Sequence, residues 1–143
     1  MSGPPIEILL LKQVAGYLAM PVFLVDEDGA LEYYNESAEE LLGQRYEETG
    51  QIPLENWAKI WAPTDLDGRP MAPEEMPVAV AGRERRPVLA TVSIRRPDGS
   101  DRQLTITALP LEAADGSHLG AFAIFWETKR REDGQEAGSA VEE

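Results

Sequence analysis

Residues suited to catalysis are few in this chain. The 143 residues include no cysteine and a single histidine, His118, which stands beside Ser117. A nucleophile needs an adjacent base, and the base needs an orienting group, but no orienting acid or oxyanion element accompanies this pair. The absence of cysteine excludes disulfides, thiolate catalysis and thiolate metal sites. We therefore predict a protein that is not an enzyme, with a paired-carboxylate site as the open alternative.

The acidic cluster Asp26-Glu27-Asp28 is the one stretch whose residue types suit a metal ion. Its carboxylate oxygens could hold a divalent cation. The same residues are also typical of an ordinary polar turn, because Asp28 is followed by Gly29. The remaining carboxylates are scattered along the chain, so no metal site is predicted.

The charge balance bears on partners and location. The net charge is -13 at pH 7, and an acidic surface repels the phosphate backbone of nucleic acids. No apolar run approaches the roughly 20 residues that cross a bilayer, and the N-terminus lacks the basic region of a signal peptide. We predict a cytoplasmic protein that binds neither nucleic acid nor membranes.

Three Asp-Gly pairs separate apolar runs and indicate where strands reverse. They are Asp28-Gly29, Asp98-Gly99 and Asp115-Gly116. Asp-Gly tolerates the positive φ angles of tight hairpins, so each pair is a turn signal. The chain then consists of two strands, a helical middle and three strands. This order predicts an α+β domain with an antiparallel sheet.

A helix is predicted at the N-terminus, opened by Pro4-Pro5 and ending near Leu18. Further apolar residues at Ile8 and Leu11 make this helix apolar on more than one face. One face would cover its own sheet, and the other either contacts a second copy or is buried in the same domain. The residues predicted to form the dimer contact are Ile6, Leu9, Leu10, Val14 and Tyr17.

Capping signals define the helices of the middle segment. Asn35 or Ser37 is a suitable N-cap for a short helix that ends at Gly43. We interpret Asn35 as structural and expect its replacement by alanine to cost about 1 kcal/mol. A later helix is predicted to hold Pro77 in its first turn and to stop at Gly82.

Several segments taken in order resemble a PAS domain. They are residues 28–43, 67–70, 75–82, 95–99, 107–111, Gly116 and residues 120–122, and the resemblance extends over roughly residues 11–127, nearly the whole chain. The resemblance implies a five-stranded antiparallel sheet with short helices on one face. With the helix predicted above and the change to a polar composition after Trp126, the predicted organisation is a flanking helix over residues 1–18, a PAS-like domain over 19–127 and an acidic disordered tail over 128–143. At the end of the last strand, Trp126-Glu127-Thr128 replaces the Asp-Ile-Thr motif common in the family.

The resemblance also directs attention to cofactors. Family members that form a covalent flavin adduct, or that carry a cysteine-linked chromophore, need a cysteine that this chain lacks. Haem-binding members commonly use a histidine on the helix before the third strand, whereas His118 stands next to a turn near the last strand. The cofactor is therefore unknown, and haem is disfavoured.

Two functions stay open from sequence. In one, the domain senses a small noncovalent ligand in an apolar cavity. In the other, it binds no ligand, forms a homodimer and passes its signal to a separate output protein. The predicted cavity wall consists of Trp57, Trp61, Met76, Val80, Ile94, Ile106 and Ile124, each of which is also a reasonable core residue.

Overall fold

The computed structural model describes residues 6–17 and 19–128. Residues 1–5, Leu18 and residues 129–143 lie outside the described residues, and with them part of the predicted flanking helix and all of the predicted tail except Thr128. Within them, none of the helices is long and apolar enough to cross a membrane.

The described residues form a single antiparallel sheet with helices on both of its faces. The strand order is β2-β1-β5-β4-β3, so the first and last strands are neighbours at the centre. The predicted α+β class and the five-stranded sheet are confirmed. The elements are α1 (Ile6–Tyr17), β1 (Val22–Val25), β2 (Leu31–Tyr34), α2 (Glu36–Leu42), α3 (Tyr46–Thr49), α4 (Leu54–Trp61), a 3-10 turn (Pro73–Glu75), α5 (Pro77–Glu84), β3 (Val88–Arg95), β4 (Asp101–Glu112) and β5 (His118–Glu127).

The main core lies between one face of the sheet, here called the inner face, and helices α2, α4 and α5. Strand side chains alternate between the two faces, and the inner set meets the buried residues of the helices. From β1 this core takes Phe23 and Val25, and from β5 it takes Ala121, Ala123 and Phe125. The helical middle of the sequence therefore forms one wall of the core and the sheet forms the other.

Helix α1 covers part of the opposite, outer face. Val22 and Leu24 alternate with the inner residues of β1 and so point outward, yet both are about 1% exposed. Helix α1 lies beside this part of the sheet, since Lys12 is 3.6 Å from the Glu32 carboxylate and 5.9 Å from the centre of the Tyr33 ring. The helices after β2 share one face and α1 lies on the other, which agrees with the prediction of short helices on one face and a flanking helix at the N-terminus.

The predicted end of α5 is wrong by two residues. Pro77 is the first residue of the helix, as expected, but the helix continues through Gly82 to Glu84. Arg85 ends it in the left-handed conformation, at φ 54°. Gly82 is instead a close-packing position, since a Cβ added there would meet the Ala121 Cβ at 3.6 Å.

Candidate functional site

A small apolar cavity lies inside the main core. Its volume is about 50 Å³, and no charged side chain faces it. An apolar cavity of roughly 150 Å³ is needed to hold benzene in a protein core. The lining residues are Phe23, Leu42, Trp57, Trp61, Pro63, Met76, Pro77, Val78, Ile94, Leu104, Ile106, Ala123 and Phe125.

The two tryptophans of α4 form part of the cavity wall. Trp57 and Trp61 are one helical turn apart and both are buried. The indole N–H of Trp57 donates to the Gly29 carbonyl at 2.9 Å, and that of Trp61 donates to the Leu42 carbonyl at 2.9 Å. Each ring is therefore held at both its apolar surface and its polar atom, which fixes the cavity walls.

Five of the seven predicted wall residues line the cavity, and two do not. Ile124 lies on the outer face, because it alternates with Ala123 and Phe125 and pairs with Val22 across the sheet. Val80 is only partly buried on α5, where its neighbour Val78 lines the cavity instead. Phe23 also lines the cavity and is not among the predicted wall residues. All four residues of β1 are apolar, so the sequence does not indicate which of them point inward.

The cavity's size restricts what it could bind. Sites for drug-sized ligands measure about 300–1,000 Å³, so the observed 50 Å³ is too small for a flavin or a haem. With apolar walls alone, the cavity offers shape and dispersion contacts but no polar group to orient a guest. It could take at most a very small apolar molecule without movement of the core.

Helix α1 presents an apolar face to solvent. The five residues predicted for the dimer contact are between 48% and 84% exposed, whereas Ile8 and Ala15 on the opposite side are buried. At 100° per residue, those five positions fall within one face of the helix. Two further large apolar side chains are partly exposed: Met20, just before β1, at 43% and Trp126, near the end of β5, at 42%.

Asn35 attaches α1 to the rest of the domain. Its side-chain oxygen accepts from the N–H groups of Val22 at 3.0 Å and Ala38 at 3.1 Å. Its amide nitrogen donates to the carbonyls of Ala15 and Met20, both at 2.9 Å. The residue caps α2, but it also joins α1 and the start of β1 to that cap, a role that the sequence does not reveal.

A cluster of tyrosines closes the edge of the core beside β2. The Tyr34 hydroxyl donates to the Gln44 carbonyl at 2.7 Å, and its ring packs edge-on against Tyr46 and Trp61. Burial, with help from nearby Glu39 and Glu48, raises the pKa of Tyr34 to about 12, while a hydrogen bond with Thr49 opposes the shift. Burial also raises the pKa of Tyr33 and Tyr46.

This pKa predicts a loss of stability at high pH. The unfolded chain releases the Tyr34 proton near pH 10, whereas the folded domain holds it until about pH 12. The contribution is present below pH 10 and is lost as the pH rises through this interval. We expect the Tyr34→Phe variant to show a shallower fall of its unfolding temperature between pH 9.5 and 11.5; equal slopes would contradict the shift.

The residues first considered for chemistry do not form a reactive site. Ser117 donates its hydroxyl to Asp115 at 2.7 Å, within the turn, and not to His118. The His118 ring packs beside Gly82. The Asp26 carboxylate accepts from the N–H groups of Asp28 and Ala30, which is the geometry of a polar turn. Among residues 6–17 and 19–128, no group of three His, Cys, Asp or Glu residues could hold a metal ion.

Comparison with known families identifies the fold. The family described as "PAS fold" matches residues 18–133, which is most of the chain. The chain belongs to the PAS family. PAS domains are typical of sensory signalling modules, including those of histidine kinases. No curated protein matches this PAS domain at a significant level.

Several solved structures resemble this PAS domain in fold at low sequence identity. The PAS domain of a Colwellia psychrerythraea protein is 14% identical, with a TM-score of 0.60, and the match covers 85% of this chain and 96% of that one. The PAS domain of nitrogen regulation protein NR(II) from Vibrio parahaemolyticus is 15% identical, with a TM-score of 0.58 and coverages of 83% and 98%. A Rhodobacter sphaeroides LOV protein is 13% identical, with a TM-score of 0.68 and coverages of 90% and 71%.

Proposed function

We propose that this PAS domain is a noncatalytic interaction module of signal transduction, which forms a homodimer through the exposed face of α1. One observation carries the proposal: α1 is apolar on both sides, and its five outward residues stay at least 48% exposed while the opposite side packs on the sheet. A contiguous apolar patch on a soluble domain is typical of an interaction surface. The cytoplasmic location stays a prediction from the sequence.

The proposed dimer contact is also connected to the core, through α1 and β1. A second copy on α1 would press on the helix that covers Val22 and Leu24, and these residues share β1 with the inner residue Phe23. Asn35 joins the same helix to the cap of α2. A change in either the core or the dimer contact would then shift the population of the other. Any output would pass to a separate protein or segment.

Charge on the α1 face should separate the two copies. We expect the double variant Leu10→Glu, Val14→Glu to sediment as a monomer, because paired copies would bury four carboxylates against apolar surface. The protein should stay folded, since both positions are about half exposed. Leu66→Glu is the matched control, because Leu66 is 61% exposed but lies in the loop after α4. A dimeric double variant, or a monomeric wild-type protein at high concentration, would contradict the proposal.

Point variants are better suited to this test than deletion of the helix. Removing α1 would leave Asn35 without the Ala15 carbonyl, one of the two acceptors of its amide group, and would uncover the part of the sheet on which the helix packs. Aggregation of such a truncated protein would say nothing about the dimer. The two glutamates alter only the outward face.

Ligand sensing is the alternative function, and it can be tested on the same protein. Native mass spectrometry of freshly purified material should show a bare dimer, given a cavity of about 50 Å³. An extra mass that disappears on denaturation, together with a matching compound in an organic extract, would instead favour a ligand sensor. It would require the core around Trp57 and Trp61 to open.

A further inference from the structure

Four turns of this domain contain the dipeptide Asp-Gly and share one backbone geometry. In each turn the glycine N–H donates to the carbonyl three residues earlier, at 2.8–3.0 Å, and the glycine φ lies between +83° and +90°. The aspartates of these turns are all exposed; they are Asp28, Asp67, Asp98 and Asp115. Because the backbone is alike, we expect any difference in their reactivity to depend on what holds each aspartate side chain.

An Asp-Gly dipeptide can rearrange its own backbone, because glycine has no side chain to shield its nitrogen. The glycine nitrogen attacks the aspartate Cγ, an N–Cγ bond forms, and the carboxyl hydroxyl leaves as water with the N–H proton. Water then adds to the aspartate main-chain carbonyl carbon of this ring and breaks the bond from that carbon to the glycine nitrogen. The product, isoaspartate, has the same mass and charge, but its backbone is longer by one methylene group. Ring closure requires a protonated carboxyl group that is free to rotate towards the glycine nitrogen.

Serines hold two of the four carboxylates in place. One Asp98 oxygen accepts from the N–H and the hydroxyl of Ser100, at 2.9 and 2.6 Å. One Asp115 oxygen accepts from the N–H and the hydroxyl of Ser117, at 2.9 and 2.7 Å. These bonds must break before Cγ can approach the glycine nitrogen. They also lower the pKa of both carboxyl groups, with the serine hydroxyl as the largest cause, so less of the protonated form is present.

The carboxylates of Asp28 and Asp67 are not held in this way. In their turns, the side chain that accepts backbone N–H groups belongs to the aspartate two residues earlier. Asp26 accepts from the Asp28 N–H at 2.9 Å, and Asp65 accepts from the Asp67 N–H at 2.9 Å. In the described part of the chain, no hydrogen bond or ion pair engages the carboxylate of Asp28 or Asp67. Both carboxyl groups are therefore free to rotate.

We propose that Asp28 and Asp67 are the sites at which this domain converts spontaneously to isoaspartate, that Ser100 and Ser117 protect the other two sites, and that only the change at Asp28 reaches the core. The same dipeptide is thus sorted into two classes by side-chain hydrogen bonds within otherwise similar turns. The modification needs no enzyme and no reactant other than water.

The two reactive turns differ in what they contact. The Gly29 carbonyl accepts the indole N–H of Trp57 at 2.9 Å, so a longer backbone at Asp28 displaces the acceptor that holds one wall of the cavity. A Cβ added at Gly68 would meet no atom within 4 Å, so a change at Asp67 has no packed neighbour to disturb. Tryptophan emission should therefore shift in protein modified at Asp28 and stay constant in protein modified at Asp67 alone. Unchanged emission after modification at Asp28 would overturn this part of the proposal.

The rates are measured by warm storage of the full chain at mildly acidic pH, followed by peptide mapping with electron-transfer fragmentation, which distinguishes isoaspartate from aspartate. We expect isoaspartate to form at Asp28 and Asp67 about fivefold faster than at Asp98 and Asp115, the factor that one hydrogen bond of ordinary net strength contributes. In guanidinium chloride the four rates should become similar, because the unfolded chain lacks these hydrogen bonds. Equal rates at all four sites in the folded chain, no isoaspartate in it, or the same ranking in the denaturant would overturn the proposal.

Two variants test the role of the serines directly. Ser100→Ala should raise the rate at Asp98 to that of Asp67, and Ala30→Ser should slow the reaction at Asp28 by placing a hydroxyl at the corresponding position of its turn. The unaltered turns of each variant are its internal controls, and their rates should not change. An unchanged rate at Asp98 in Ser100→Ala would show that serine does not protect it and would overturn the proposal.

Discussion

Replacing Gly120 with alanine is expected to lower the free energy of unfolding by on the order of 4 kcal/mol, or to prevent folding. A Cβ at this position would lie 2.1 Å from the Val25 carbonyl oxygen and 2.9 Å from the carbonyl carbon of Asp26. Both atoms belong to the backbone at the end of β1, so no side-chain rotation relieves the clash. Gly120 also has φ +136°, which L side chains rarely adopt.

Gly116→Ala provides the control for this prediction. Gly116 has φ +88°, but a Cβ there would meet no atom within 4 Å. The cost should therefore be limited to backbone strain, about 1 kcal/mol. Urea denaturation with a shared m value measures both variants. If the two midpoints fall by the same amount, close approach of the backbones is not what requires glycine at 120.

The second large effect is expected at Asn35. The Asn35→Ala variant loses four hydrogen bonds from a side chain that is 2% exposed. We expect it to lower the free energy of unfolding by about 3–4 kcal/mol, because its partner groups are left unpaired in a dry environment. This exceeds the 1 kcal/mol expected from the sequence, which considered the helix cap alone.

Asn35→Ser separates the two roles. Serine caps helices about as well as asparagine, but it is too short to reach the carbonyls of Ala15 and Met20 as well. We expect the serine variant to recover about 1 kcal/mol of the loss and to leave α1 exchanging its amide hydrogens faster than in the wild type. Hydrogen exchange of the backbone amides of residues 6–17 measures this difference. Full recovery of both stability and exchange protection would mean that Asn35 is only a cap.

Local sequence signals were sufficient to predict the turns between strands and the start of α5. All three predicted Asp-Gly pairs lie in the turns between sequence-adjacent strands, because their backbone preference acts within four or five residues. Pro77 begins α5 for a similar reason, since its fixed φ suits the first turn. These backbone preferences are local and do not depend on the conformation of distant residues.

Features that depend on distant parts of the chain were harder to predict. Ile124 was assigned to the cavity although its alternation with Ala123 places it outward, and the sequence does not say which face of a strand is covered. Gly82 resembles a helix end, yet it serves close packing against Ala121. The bridge between Thr64 and Ser93 on the edge strand β3 joins residues that are distant in sequence, and no local signal predicts it.

The pairing of β1 with β5 has a consequence for the biosynthesis of the domain. β1 occupies residues 22–25 and its central neighbour occupies residues 118–127. On the ribosome, the β1–β2 hairpin emerges with one side of β1 unpaired and must wait until almost the whole domain has been translated. Contacts this distant in sequence form slowly. The last strand to be synthesised is therefore the one that joins the two halves of the sheet, and chains that stop before it should be substrates for chaperones and proteases.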